Sequence, residues 1–303
     1  MTVRLSDITA RIDGIRQLGA VVNAMRGIAA ARAQQARNQL VAVDSYSATI
    51  ALAIGRTLAT LPTAGSGTAG RSTRPAVVLF CAEQGFAGAF SERVLDAVRA
   101  DVSNSELFLI GTRGRAVAAE RGAVAGWNSP MPSHSLGIPK LADRISEALY
   151  TRIAAGEIDR LDAVFSQWQP GHGIHIERRR LFPLDISGFP RPNDANAPLL
   201  NLPSETLLIE ITADYVHAQL CNTALHAFAA ENEARMEAMA SARSQIERQL
   251  SALQATQRIV RQEEITAEII ELAAGETASR SDRARTDSEN TAEAVPLKET
   301  INR

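Results

Sequence analysis

The sequence predicts an α/β domain set between two very long helices that pair as an antiparallel, left-handed coiled coil. Three observations carry this. Apolar residues repeat in heptads at both ends of the chain, both end segments lack helix breakers, and short apolar runs alternate with helical stretches between them.

At the N-terminal end an apolar or small residue returns every seventh position: Ile8, Ile15, Val22, Ala29, Ala36, Val43 and Ile50. A second series, offset by four, runs Ile12, Gly19, Arg26, Ala33, Leu40, Ser47 and Ile54. This 4-3 alternation is a coiled-coil seam, and a strict seven-residue period demands left-handed supercoiling. No proline precedes Pro62, so residues 1–61 read as one helix of roughly 55 residues, about 80 Å long. Ala29, Ala33 and Ala36 keep the centre of the seam small, which lets a partner helix approach closely.

Residues 62–74 form a linker rich in Gly, Ser, Thr and Ala. From 75 to 202 the pattern is that of an α/β domain. Strands are expected at 76–81, 107–111, 163–165 and 174–181, and helices near 90–101, 113–121 and 140–155. Strands separated by helices predict a small open sheet, mainly parallel, with right-handed crossovers.

Residues 203–275 are the second long helix. Ser204 is its N-cap candidate, and neither proline nor glycine occurs from Glu205 to Ala274. Met239, Ile246, Leu250, Leu253, Val260 and Ala267 continue a 4-3 pattern that Arg243, Gln257 and Glu264 interrupt. Gly275 reads as the residue just past the helix end. The tail, 276–303, is polar, mixed in charge and without periodicity, and is expected to be mostly disordered. A compact middle domain brings the inner ends of the two long helices together, so their pairing is antiparallel.

Composition narrows the function. The 303 residues are 45% hydrophobic and carry a formal net charge of −2, without the basic surplus of a dedicated nucleic-acid binder. Aromatics make up only 4%, against an all-β fold. The two cysteines, Cys81 and Cys221, lie far apart and form no zinc spacing or disulfide framework, as in a reduced cytoplasmic setting. The first residues lack the apolar core of a signal peptide, and no run of 18 apolar residues occurs, so no membrane insertion is expected.

Candidate chemistry is sparse. Glu83-Gln84-Gly85-Phe86-Ala87-Gly88-Ala89-Phe90 lies between a strand and a helix, where a phosphate loop would sit. It lacks both the three-glycine fingerprint and the Gly-Lys-Ser/Thr ending, so the favoured reading is a turn that lets the helix pack on the sheet. His172 and His175 have no nearby carboxylate or cysteine to complete a metal set. Arg178, Arg179 and Arg180 read as solvated or paired arginines beside a sheet edge. No catalytic, cofactor or metal site is expected. Pattern alone leaves two readings open: a coiled-coil scaffold or adaptor with an α/β head, and a small enzyme binding a nucleotide between Gly85 and Gly88.

Longer matches go further. The segments from Ile8 to Ile15 and from Ala24 to Arg32 (Ala-Met-Arg-Gly-Ile-Ala-Ala-Ala-Arg) resemble the opening helix of the gamma subunit of F-type ATP synthases. Phe228-Ala229-Ala230-Glu231-Asn232-Glu233-Ala234-Arg235-Met236 resembles that family's last helix. The stretch from Arg261 to Glu271, followed by Ala274-Gly275, continues the resemblance in register. Ile110-Gly111-Thr112-Arg113-Gly114-Arg115 and Leu181-Phe182-Pro183-Leu184 fit between them, so it spans about residues 4–275.

The resemblance implies a Rossmann-like α/β domain beside the foot of an antiparallel coiled coil. It also implies a rotor shaft without a catalytic residue or cofactor. Its partners would be the alpha and beta subunits of the catalytic hexamer, the epsilon subunit and the membrane c-ring, at the cytoplasmic face of the bacterial plasma membrane. The implied partner contacts are Met25, Arg26, Glu231 and Arg235, with Arg261, Gln262, Thr266 and Glu268 further along the last helix. The chain departs from the family at Ala20-Val21-Val22-Asn23, where a cationic, threonine-containing stretch is usual. It departs again at Phe86-Ala87-Gly88, where a cysteine and more glycines are common.

Overall fold

The structure, a computed structural model, describes residues 4–61, 74–102, 104–190 and 199–292. They fall into two compact units, one of residues up to Val21 together with those from Arg243, the other of residues 22–242. Helix α1, Leu5–Thr60, and helix α5, Ser204–Ala292, each run through both units.

In the larger unit the sheet has the order β3-β2-β1-β4-β5, with β1 at Pro75–Phe80, β2 at Glu106–Ile110, β3 at Trp127–Ser129, β4 at Arg160–Gln169 and β5 at Gly173–Phe182. The first four are parallel, and β5 closes the far edge antiparallel to β4. Helices α2, Phe90–Ala97, and α3, Thr112–Glu120, cover one face, packing Phe90, Val94, Leu95 and Val117 on Val77, Leu79, Leu107 and Leu109. Helix α4, Ile138–Ala154, covers the other. There Ile138, Leu141, Ile145 and Leu149 meet Val78, Phe80, Phe108 and Phe165, together with Ala36 and Leu40 of α1 and Leu220, Ala224 and Phe228 of α5. The chain winds outward from β1 through α2 and α3, then returns by α4 to the other side of β1. Right-handed crossovers demand this change of face when the direction of winding reverses.

Within this unit α1 and α5 run antiparallel. Asn222 donates to Asp44 Oδ1 at 2.6 Å, Arg37 pairs with Glu233, and Thr60 meets Ser204, so α1 numbers rise as α5 numbers fall. The seam lies where periodicity puts it: Ala29, Ala33 and Ala36 are buried to 1% exposure or less, and Leu40, Ser47, Ile50 and Ile54 are buried beyond them. Arg26 is the exception and is exposed. In the smaller unit Ile8, Ile12 and Ile246 are buried, and Gln257 donates to Thr9 Oγ1 at 3.0 Å. That bond gives a use to one of the polar interruptions of the second heptad series. From Arg261 to Thr277 every residue of α5 is exposed.

The structure corrects four expectations. Helix α5 continues through Gly275 to Ala292, so the part of the expected tail from 276 to 292 is helical. A glycine inside an exposed helix costs only about 1 kcal/mol, no proline follows before Pro296, and Arg280 pairs with Glu276 one turn away at 3.1 Å. Residues 293–303 of that tail, and 62–73 of the expected linker, lie outside the described residues. Strand β3 was not expected, and three residues are too few to show alternation. Helix α2 ends early, because Val98 to Asp101 tighten into turns, with Asp101 N donating to Val98 O at 2.8 Å. The 4-3 series, finally, includes Arg26, which the fold leaves outside the seam.

The seam yields a test. Ala33 has no exposed surface, so Ala33→Leu overpacks the closest approach of α1 and α5 and should lower stability by about 1–3 kcal/mol. Urea unfolding of the chain measures it, and a variant as stable as the parent would show that the seam has room to spare.

Candidate functional site

A dense set of polar contacts in the larger unit gathers at the carboxyl end of β1. Glu83 sits two residues past Cys81, which still bonds to the sheet through its N–H to Ile110 O. The Glu83 Oε2 accepts from Thr112 N at 2.9 Å and Met131 N at 2.8 Å, while Oε1 accepts from the Thr112 hydroxyl at 2.8 Å. The first N–H groups of a helix have no intrahelical partner and attract negative charge. Glu83 therefore caps α3 from outside it and ties together the segments that follow β1, β2 and β3. Two glycines make the approach possible. A Cβ on Gly111 (φ +106°) would lie 2.6 Å from Cys81 O, and one on Gly114 would lie 2.0 Å from Cys81 Cβ.

Helix α5 reaches the same turn. Glu231 and Arg235, one helical turn apart, are only 3% and 5% exposed and pair with each other. The Glu231 carboxylate accepts from Glu83 N at 3.2 Å and from Gln84 N at 3.3 Å. Arg235 donates back to Gly85 O and Gln84 O, each at 3.3 Å, and to Asn232 Oδ1 at 3.1 Å. Two successive N–H groups and two successive carbonyls of the turn are thus gripped by one ion pair. Removing either member of such a pair leaves a buried charge uncompensated, at a typical cost of about 3–5 kcal/mol. Phe86, at the tip, is 68% exposed and holds a left-handed φ of 62°.

Glu231 and Arg235, expected as partner contacts, are engaged in this arrangement within the chain. Both are spent inside the chain and offer almost no surface to a partner. At the turn that leads into α2, the backbone N–H groups of Glu83 and Gln84 already face the carboxylate of Glu231, which opposes a second anion at that point.

The remaining expected contacts are on helix surfaces. Met25 is half-buried and Arg26 exposed. Arg26 borders an open recess of about 320 Å³ with Trp168, Glu233, Met236 and Glu237. Glu233, which sequence reasoning passed over, pairs there with Arg37, whose guanidinium lies 5.1 Å from the centre of the Trp168 ring. Arg261, Gln262, Thr266 and Glu268 are exposed on α5, and the Thr266 hydroxyl donates to Gln262 O at 2.8 Å.

Elsewhere the candidates resolve into structural pairs. Arg178 pairs with Asp101, Arg180 lies 3.6 Å from Asp162, and Arg179 bonds Glu177, Gln219 and Asn222 while lying over the Phe165 ring. No cluster of three metal-ligating side chains occurs among the described residues, His172 and His175 included.

One constellation was not foreseen. His217 Nε2 lies 3.0 Å from Asp143 Oδ1, and its Nδ1 lies 3.9 Å from Cys221 Sγ. The order matches a thiol nucleophile with base and orienting acid. The electrostatics oppose it, since burial first and the Asp143 charge second push the Cys221 thiol up to about 12. A thiol that stays protonated is no nucleophile.

Comparisons with known proteins converge on one family. The ATP synthase family profile matches residues 4–278. The ATP synthase gamma chain of Chlorobium luteolum is 26% identical over 285 residues, covering 89% of this chain and 97% of its own. That of Parafrankia sp. is 28% identical over 302 residues, covering 93% and 99%. Among solved structures, a chain of the Euglena gracilis mitochondrial ATP synthase (OSCP/F1/c-ring) superposes with a TM-score of 0.62 at 14% identity, over 98% of both chains. A chain of the central stalk and c-ring of the Tetrahymena thermophila mitochondrial enzyme superposes with a TM-score of 0.52 at 15% identity, over 73% of this chain and 99% of its own.

The cysteines give a test. Burial, with the charges of Glu231 and Glu92, also pushes Cys81 up to about 12. A thiol whose folded pKa exceeds the unfolded value near 9 stays protonated at pH 8, and the stability tied to it is lost only as pH rises from about 9 toward 12. The native chain should therefore react very slowly with a thiolate-directed reagent at pH 8, and the urea-unfolded chain should titrate both cysteines at once. Rapid modification of the native chain would contradict the packing described.

Proposed function

This chain belongs to the ATP synthase family, and from that premise we propose how its parts serve the rotor. It is a gamma subunit, a non-catalytic part of the complex that transmits torque between the membrane c-ring and the catalytic hexamer of alpha and beta subunits, with epsilon as a further partner. No described helix is long and apolar enough to cross a membrane, and the chain is associated with the membrane through its complex. Its position is peripheral, at the cytoplasmic face of the plasma membrane.

One observation carries the assignment of parts. From Arg261 to Thr277 helix α5 has no covering partner among the described residues, and Ile265, Ile269 and Leu272 stand 49%, 60% and 75% exposed. An isolated helix of this length is marginal in water and gains its stability from packing. The overhang is therefore the part that works inside the hexamer, and Arg261, Gln262, Thr266 and Glu268 are its polar contacts there. Met25 and Arg26 make the contacts of α1. Residues 75–202 form the α/β domain, carried between the two long helices.

Two measurements test this. The purified chain should not hydrolyse ATP, whereas coexpression with its alpha and beta subunits should give a complex that does. In that complex, a chain ending at Gly275 should support hydrolysis and ion transport close to the full chain. One ending at Val260 should slow hydrolysis several-fold and transport fewer ions per ATP. If the longer deletion adds nothing to the shorter, the overhang is not the working end.

A further inference from the structure

The turn after β1 holds a carboxylate as a binding site holds a ligand. Two consecutive backbone N–H groups, of Glu83 and Gln84, converge on the two oxygens of Glu231 at 3.2 and 3.3 Å. The Arg235 guanidinium completes the set from the side, itself held by Asn232 Oδ1 and by the carbonyls of Gln84 and Gly85. Convergent backbone N–H groups with a cation are the usual means of holding an oxyanion. The charged members are almost fully buried, so water competes little for the donors. The location fits as well, since an open α/β sheet binds its ligands outside the carboxyl ends of the strands, where the winding reverses. Here the reversal lies between β1 and β4.

We infer that residues 83–85 and Arg235 form an oxyanion site of carboxylate chemistry, and that Glu231 occupies it as a built-in ligand from helix α5. The carboxylate class follows from the donors: one N–H for each of two oxygens, with the guanidinium on Oε1, a planar two-oxygen acceptor rather than a tetrahedral one. Glu83 plays a parallel part at the N-terminus of α3, so two of the chain's own carboxylates face backbone N–H donors at the strand ends. The inference concerns the chain alone and stands apart from its work in the rotor.

Emptying the site tests it. In the full-length chain, Glu231→Ala removes the carboxylate and leaves Arg235 and the two N–H groups in place. Sodium formate is the probe, and sodium chloride at equal ionic strength is the control. The variant should melt below the parent in chloride, and formate should raise its melting temperature saturably by a few degrees. Isotope-labelled formate should broaden in its presence. The parent should ignore formate. So should Glu231→Gln, whose amide fills the same space, and Glu231→Ala combined with Arg235→Ala, which lacks the cation. If Glu231→Ala fails to fold in chloride, refolding yield becomes the readout, and recovery by formate supports the site. Formate acting no better than chloride on Glu231→Ala, or equally well on either control variant, overturns it.

Discussion

Everything in the larger unit depends on how closely two helices can approach while a sheet reaches both of them. Ala36 sits at that junction: it belongs to the α1 seam and to the core beneath the sheet that also holds Phe80, Phe165 and Leu220. A larger residue would hold α5 away from α1 and lift both from the sheet, since protein interiors have no slack volume to absorb it. Small seam residues let one apolar core serve the coiled coil and the α/β layers together. The large side chains come from the sheet and α4 instead, with Phe108, Ile138, Leu141 and Ile145 fully buried.

Polar groups then fix the register that small apolar residues leave loose. Alanines in a seam slide past one another with little penalty, but Asn222 bonds both Asp44 of α1 and Arg179 of β5. Arg179 in turn lies over Phe165 and bonds Gln219 one turn before Asn222. A shift of α5 by one turn would break these bonds together and strand buried polar groups, which costs far more than any one bond is worth. His226 belongs to the same neighbourhood, stacked on Phe165. Burial and the Arg179 charge depress its pKa, so it stays neutral near pH 7 and adds no second cation.

The parts of this fold that were legible in the sequence are those with a period. The α1 seam could be read almost throughout, Arg26 excepted, because burial of one helix face forces a repeat that composition cannot hide. The strands could be read because runs such as Val77-Val78-Leu79-Phe80 are buried on both faces. What escaped has a physical reason in each case. Strand β3 is too short to have a pattern. Gly275 looks like a stop, but a glycine ends a helix only when the chain turns there. Glu231 and Arg235 stand four residues apart, the spacing of countless solvent-exposed pairs, and nothing local announces that a turn some 150 residues away will bury them. Only the whole-chain resemblance singled them out, as members of a contact region, and it gave no sign of the turn that they grip.

The end of α5 differs from the rest of the long helices in one mechanical respect. Where α1 and α5 lie together, twisting one about its axis must shear the packed interface, so the pair resists torsion as a laminated rod. Past Val260, as far as Thr277, no described residue continues that lamination, and the hydrogen bonds of a single helix oppose twist. A drive train with one such segment has a compliant coupling in series with a stiff one, and deformation concentrates in the compliant part. Under an applied twist the angular displacement per residue would be largest in that lone segment.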